Sequence, residues 1–521
     1  MVKREFLEEA LQEISDEHLA EAAELIAEAK TAGQAVTGKE AAGKSAAGKT
    51  RKMPKSARKY VWKPIVALAT AAAVILVIVF GGGGWWNAGN YFGGSPVLKA
   101  HAIGEASYPE MAPYPDESKY ILTGGIFDDI GFGKVYEEWR ADQKARRNQP
   151  EGYQIGADQF AARTIPTFLK GAGAENVVYS PLNVYMALSM AAEITDGETR
   201  GQLLDLLGAE DIETLRWKAN AIWNAHYCDD NATASVLAGS LWLDDSVSYK
   251  EETVKLLAEN YYASSYRGDM QTAEMSEALQ AWLNQQTGGL LKDSVEGAAF
   301  DPETVLALAT TVYFREKWND DFSKEVTRED IFHGAAGDVT TEFMYTSPEQ
   351  NYYWADRFGA ISKSLDNGDT MWFVLPDEGV SVDEVLAEEQ FTAFLEKRDG
   401  WENAKRVIIH FYLPKFDISS DLELTEGLRM LGITDIFTSG VADFTPISED
   451  MPLGFISEIS HAARVAVDEE GVTAAAYTVM MEAGAAPPPD EEIEFKLDRP
   501  FIFAITGRSG LPLFVGVVNQ P

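Results

Sequence analysis

One stretch limits what this chain can be: the run from Ile65 to Phe80, which carries no charge and no helix or strand breaker. Water does not tolerate such a segment in the open, so it must cross a membrane or lie inside a core. Val61 and Trp62 before it and Gly81 to Gly84 after it bring it to the roughly 20 residues that span hydrocarbon. Arg51, Lys52, Lys55, Arg58, Lys59 and Lys63 crowd its N-terminal side. Positive charge stays in the cytoplasm, and Trp62 on one side with Trp85 and Trp86 on the other suits the two interfacial belts. The pattern predicts a transmembrane helix over 61–83, the N-terminus inside and residues from about 85 onward outside. A cleaved signal peptide fits poorly, because a long polar segment precedes the run. A buried soluble helix is the competing reading, and the basic flank argues against it.

Charge divides at the same place. Residues 1–63 hold 12 Lys/Arg and 10 Asp/Glu, so they carry +2 and residues 64–521 carry −40, which sum to the formal charge of −38. An acidic surface of that size repels phosphate and excludes nucleic acid as a partner. Cys228 stands alone, so no internal disulfide can form and the large domain must hold by packing. A buried, inert position is the expectation for it.

Residues 1–60 read as a cytoplasmic segment: an amphipathic helix over 5–29, then Ala/Gly/Lys low complexity. Gly43 to Thr50 matches the phosphate-loop spacing, but Ala/Gly repeats precede it and Arg51, Lys52 and Pro54 follow. Without a strand before and a helix after, it implies no nucleotide. Residues 84–155, rich in Gly, Tyr and Pro, read as an extracellular stalk with a helix over Glu137 to Gln149.

From 156 the periodicities are mixed. Phe160 to Lys170 is helical, and Pro181 to Leu207 holds two helices broken at Asp196 and Gly197. Val305 to Phe314 is a near-continuous apolar run, as for a strand buried on both faces. Phe455 to Val467 is another strand, and Phe501 to Thr506 with Leu513 to Val518 reads as a hairpin. Helices come first and strands dominate later, which gives an α+β class with large sheets. Between the strand patterns lies Glu469 to Asp490, small and β-capable residues that open on Gly471 and close on Pro487 to Pro489. So long a stretch without turn punctuation is a helix, an unpartnered strand or a functional loop.

Six separated motifs then fall into one order: NVVYSPLN (176–183), TTVYFREKW (310–318), LPKF (413–416), LGITDIF (431–437), His461 ten residues before Gly471, and FKLDRPFIFAI (495–505). Together they resemble the serpin family over 156–521. The resemblance implies a serpin fold: a large, five-stranded central sheet, further sheets, about eight to nine helices and an exposed reactive-centre loop. It also implies a mechanism. A protease attacks the loop as substrate, the loop inserts into the central sheet as a new strand, and the acyl-enzyme is trapped.

The residues permit that course. Gly471 offers a hinge, and Ala474, Ala475 and Ala476 bring little volume into a packed sheet. Val472, Ala474, Ala476 and Thr478 would face inward, and Thr473, Ala475, Tyr477 and Val479 outward. Glu482 would point inward late in insertion, where a buried carboxylate is costly. Val472 replaces the Thr or Ser usual in the family. The resemblance assigns Ser180, Asn183, Thr310 and His461 to a sheet-opening cluster, with Asn183 and Thr310 departing from its usual residues. It places Trp318 at the top of the sheet beside an ion pair of Lys415 with Glu469. The usual loop length, counted from Glu469, puts the scissile bond at Ala485–Ala486, with Met480, Met481 and Gly484 as alternatives. Ala there suits elastase-like or subtilisin-like proteases and not trypsin-like ones.

An enzyme is a poor reading, because the six histidines form no HExxH pair and no GxSxG elbow occurs. The expectation is a monomeric, membrane-tethered inhibitor with no metal or cofactor, whose partner is a serine protease in covalent complex, a cysteine protease being the alternative. It would guard a cell surface, and the uncleaved anchor and absent disulfides look bacterial. A non-inhibitory surface protein on the same fold, a substrate or adhesion module, is the second reading.

Overall fold

Two sheets carry nearly all the long strands of the computed structural model, which describes residues 71–79, 95–122, 127–287, 298–300, 304–397, 400–472 and 491–521. All of these belong to one compact unit running from residue 64 to the C-terminus. The predicted cytoplasmic segment 1–60 lies outside the described residues. The central sheet holds β1 (Ala71–Val79), β2 (Ala102–Gly104), β4 (Cys228–Asp229), β5 (Ala234–Asp244), β6 (Ala263–Gly268), β7 (Thr304–Lys317), β14 (Phe416–Glu423), β15 (Ile456–Val467) and β16 (Gly471–Val472). Its order is β14-β15-β1-β7-β5-β6-β2, with β16 on β7 and β4 on β5. The second sheet holds β3 (Val177–Tyr179), β8 (Arg328–Gly334), β9 (Gly337–Thr346), β10 (Glu349–Trp354), β11 (Phe358–Ser364), β12 (Thr370–Pro376), β13 (Ala404–Pro414), β17 (Glu492–Lys496), β18 (Phe501–Thr506) and β19 (Pro512–Val518). Its order is β3-β19-β18-β12-β11-β10-β13-β9-β8, with β17 on β13.

The local reasons are plain. β7 is buried almost without interruption from Leu306 to Val312, so it needs cover on both faces. One cover is the helix Pro181–Glu193, which packs on β7 and is buried at every one of its 13 residues. A helix that is apolar all round belongs in a core. Ser180 caps it by accepting a hydrogen bond from the Asn183 N–H at 3.2 Å, and Pro181 occupies the first turn, where no donor is lost. The predicted break at Asp196 and Gly197 separates this helix from Gly197–Leu207. The terminal hairpin is β18 and β19, closed by a turn in which Gly507 N–H reaches Leu511 O.

Two expectations need correction. Residues 71–79 of the predicted transmembrane helix form a strand, β1, seated between β7 and β15 and parallel to both. The rest of that span lies outside the described residues, and no described helix is long and apolar enough to cross a membrane. A short, wholly apolar run rich in Val and Ile satisfies a lipid helix and a buried strand equally, and periodicity cannot separate them. The stalk expectation also fails where it can be seen. β2 pairs with β6, and the Tyr108 ring lies 5.2 Å from Trp223 and 5.7 Å from Tyr227. Tyr114 N–H donates to Asp230 O at 2.8 Å. Tyr108 and Tyr114, two of the aromatics that made 84–155 look like a tether, are packing groups. The expected helix over Glu137 to Gln149 runs Asp129–Arg147, capped by Asp128 accepting from Gly131 N–H at 3.0 Å. The described residues hold eleven α-helices: nine lie within 156–521, in line with the eight or nine expected there, and two, Pro96–His101 and Asp129–Arg147, precede residue 156.

Candidate functional site

At the end of β15 the chain reverses through Asp468 to Gly471. The Asp468 N–H donates to Gly471 O at 3.2 Å, and the Asp468 carboxylate accepts from Glu470 N–H at 2.9 Å. Gly471 and Val472 then pair antiparallel with Lys317 and Glu316 at the end of β7. Gly471 sits at φ +133°, a conformation side chains rarely adopt. A Cβ there would lie 2.6 Å from Lys317 Cα, 2.7 Å from Glu316 O and 2.8 Å from Trp318 N. Space and torsion both demand glycine at the position predicted to act as the hinge.

The turn is fastened from the other side. Trp318, 1% exposed, donates its indole N–H to Asp468 O at 2.9 Å and its backbone N–H to Glu470 O at 3.3 Å. Phe322 N–H donates to Glu469 O at 3.0 Å. The Glu469 carboxylate accepts from Lys415 and from Thr327 Oγ1, each at 2.9 Å. Burial alone would raise the Glu469 pKa, but the hydrogen bonds led by Lys415 outweigh it and hold the carboxyl below its usual range. Lys415 shows the mirror case: burial pulls its pKa down, and bonds to Glu469 and Glu342 carry it above the ordinary value. Lys363 lies over the Phe322 ring at 4.5 Å and the Trp318 ring at 5.5 Å, and burial lowers its pKa to about 8. Sequence motifs alone point to Trp318, Lys415 and Glu469. They do not reveal Thr327, Glu342 and Lys363, which reach the site from other strands and loops with no local signature.

The sheet-opening cluster is brought together only in part. Ser180 N–H donates to His461 Nε2 at 3.0 Å, so that nitrogen accepts and the ring is neutral. His461 is 0% exposed, and burial drives its pKa from 6.5 to about 3. Ser180 and Asn183 meet at the helix cap already described. Thr310 is set apart: Leu76 of β1 pairs with Thr310 on one side and with His461 on the other. The two residues thus stand two strand spacings apart, on the order of 10 Å. Thr310 Oγ1, Asn183 Nδ2 and His461 Nδ1 have no hydrogen-bond partner among the described residues.

Thr473, Ala474, Ala475, Ala476, Thr478 and the expected bond Ala485–Ala486 lie outside the described residues. Cys228 is buried, as expected, and burial raises its thiol pKa well above the ordinary value. Among the described residues no group of His, Cys, Asp and Glu could hold a metal ion.

Comparison with known proteins gives these features a frame. Residues 156–521 match the family described as "Serpin (serine protease inhibitor)". Serpin-ZX of Arabidopsis thaliana is 29% identical over 363 residues, covering 66% of this chain and 92% of that protein. Serpin-Z2A of Triticum aestivum is 31% identical over 366 residues, covering 67% and 90%. Among solved structures, the thermophilic serpin tengpin in its native state is similar with a TM-score of 0.63 at 27% identity, covering 72% of this chain and 95% of that one. AtSerpin1 of Arabidopsis, in its native stressed conformation, gives 0.60 at 26% identity, covering 73% and 98%. β1, β2 and the helix Asp129–Arg147 precede the matched residues.

Proposed function

The chain belongs to the serpin family, and from that premise we propose that it inhibits a serine-type protease as a suicide substrate. The observation that carries this reading is the hinge. Gly471 and Val472 are held against β7 in antiparallel register, and Glu469 is locked beside them by Lys415. A loop so placed can enter the sheet as a strand, and the small residues from Thr473 to Thr478 suit a packed interior.

In the proposed reaction the protease serine Oγ adds to the carbonyl carbon of Ala485. The bond to the Ala486 nitrogen breaks, that amine leaves with a proton, and an ester joins Ala485 to the protease. Insertion then pulls the ester away before water can cleave it. An Ala at this position selects elastase-like or subtilisin-like targets. The inhibitor itself performs no catalysis.

Localisation follows from the apolar run and its basic flank. With 61–83 in a bilayer, the inhibitor domain would face outward from a single-pass anchor. The curated relatives named above are plant proteins, which lends no support to a bacterial source.

The test is incubation of the purified chain with elastase and with subtilisin, followed by denaturing gels. A covalent band at the summed mass supports inhibition. Cleavage between 480 and 490 with no such band, across both proteases, would falsify it. One observation favours the second reading, a non-inhibitory surface protein: the place the loop would enter already holds β1.

A further inference from the structure

We propose that Ala71–Val79 is a resident strand of the central sheet that competes with the reactive loop for one and the same pair of strand edges. The inference rests on the inhibitor reading for its biological meaning, but not for its geometry.

The register carries it. Gly471 pairs with Lys317 and Val472 with Glu316, antiparallel. If the loop entered on that ladder, Thr473 would come opposite Arg315, Ala474 opposite Phe314 and Ala475 opposite Tyr313. Val79 already pairs with Tyr313. From there β1 follows β7 residue by residue down to Ala72 at Leu306. The same ladder would place Glu482 at Leu306, so β1 holds the stretch of β7 that loop residues 475–482 require.

The other edge is taken as well. β15 pairs with β1 from Ile456 at Ala72 to Ala462 at Val77. β5 already lies along the far side of β7. A strand offers two edges, and each edge serves one neighbour. The loop, running back from β15, would enter antiparallel to β7 and β15, whereas β1 is parallel to both. No rearrangement lets the two share the slot. β1 must leave before the loop can pass Ala474.

The split of the sheet-opening cluster agrees with this. Thr310 and His461 face each other across Leu76 of β1, the separation expected when a strand already fills the gap.

The departing segment has a second place to go. It is the middle of an apolar run long enough for a bilayer and flanked by Lys and Arg. The chain then has two exclusive states: β1 in the sheet with the loop excluded, or the segment in lipid with the slot open.

The experiment uses the full chain with Val77→Cys and Ala462→Cys, which are register partners. The single native thiol, Cys228, is buried and stays in place. Mild oxidation of the folded protein should close a Val77→Cys/Ala462→Cys cross-link, read by mass after digestion. The loop is then nicked with elastase in oxidised and in reduced samples, both with vesicles of mixed zwitterionic and anionic lipid present, and thermal unfolding is followed. The expected result is no shift in the unfolding midpoint on nicking while the cross-link holds, and an upward shift once it is reduced and the loop can insert. Failure of the cross-link to form overturns the proposal. So does an upward shift in the oxidised sample, or the absence of a shift in both samples. If the shifts behave as expected but the reduced protein forms no covalent band with elastase or subtilisin, the competition stands and the inhibitory reading fails.

Discussion

Lys415 Nζ lies 2.9 Å from Glu469 Oε1 and 2.9 Å from Glu342 Oε2, yet only one of these carboxylates is buried. The Glu469 side chain is 7% exposed and that of Glu342 56%. The ammonium therefore serves mainly to make a buried charge tolerable at the turn that ends β15.

Lys415→Met should leave Glu469 with Thr327 as its remaining side-chain partner. A loss of about 1–3 kcal/mol is expected, below the fully buried limit because Lys415 is partly exposed. Glu469 is held below its ordinary 4.5, so its share of the stability is present above that pH and lost as pH falls through the depressed value. Lys415 is raised above 10.5, so its share is present below that pH and lost as pH climbs through the raised value. Urea unfolding of both proteins from pH 3 to 11 should show the difference largest between 4.5 and 10.5; a flat difference would contradict the pairing.

Gly471→Ala should cost on the order of 1–3 kcal/mol, from the torsion at φ +133° and from a Cβ 2.6 Å from Lys317 Cα. The damage should be local. Hydrogen exchange at Lys317 and Glu316 should quicken, while β18 and β19 stay protected. With a protease, the variant should be cleaved as substrate more often than it is trapped.

His461 ties stability to acid. Its neutral folded form has a pKa near 3 against an ordinary 6.5, so the unfolded chain binds more protons between those values. Stability should fall as pH drops from 6.5, by up to several kcal/mol in the limit of a fully buried ring. His461→Gln, which retains an acceptor for Ser180 N–H, should flatten the stability profile between pH 4 and 6.5 while costing some packing at pH 7.5. His226 is lowered to about 3 in the same way and will leave a residual slope.

Ala485→Arg should abolish a covalent band with elastase and create one with trypsin, because Arg is the side chain a carboxylate-floored pocket selects. N-terminal sequencing of the released peptide should begin at Ala486. A start elsewhere in 480–490 moves the bait bond to that position.

Vesicles of mixed zwitterionic and anionic lipid should raise the fraction of chain that forms covalent complex over the same chain in detergent-free buffer. The basic residues from Arg51 to Lys63 favour an anionic surface and so favour withdrawal of the apolar segment from the sheet. Ile75→Lys should lose that gain, since a charge mid-span opposes insertion into lipid.

Much of this was legible in the chain because it is local. β7 announced itself through an unbroken apolar run, the helix break through Asp196 and Gly197, the last hairpin through Gly507 and Gly510. The glycine at 471 was legible as a special backbone position, though not the reason no other residue fits, which depends on Lys317 lying 2.6 Å from an added Cβ. What failed to show was contact between distant segments. Nothing in Tyr108 declares that it packs on Trp223, or in Lys363 that it covers Trp318 and Phe322. Ala71–Val79 was the least legible stretch, because lipid and a sheet interior ask the same thing of a short Val/Ile run. Only the identity of the neighbouring strands distinguishes them, and that is not written in the run itself.

The seat of β1 also bears on how the protein behaves in concentrated solution. A parted sheet would present two facing rows of backbone donors and acceptors, on β7 and on β15, and such edges recruit strands from any source. With β1 paired along both, a second molecule finds no template there. Departure of the segment would expose that template, so each molecule whose slot opens becomes for a time a receptor for its neighbours' loops. Oligomer growth, followed by light scattering against protein concentration, would then act as a clock for the exit of residues 71–79.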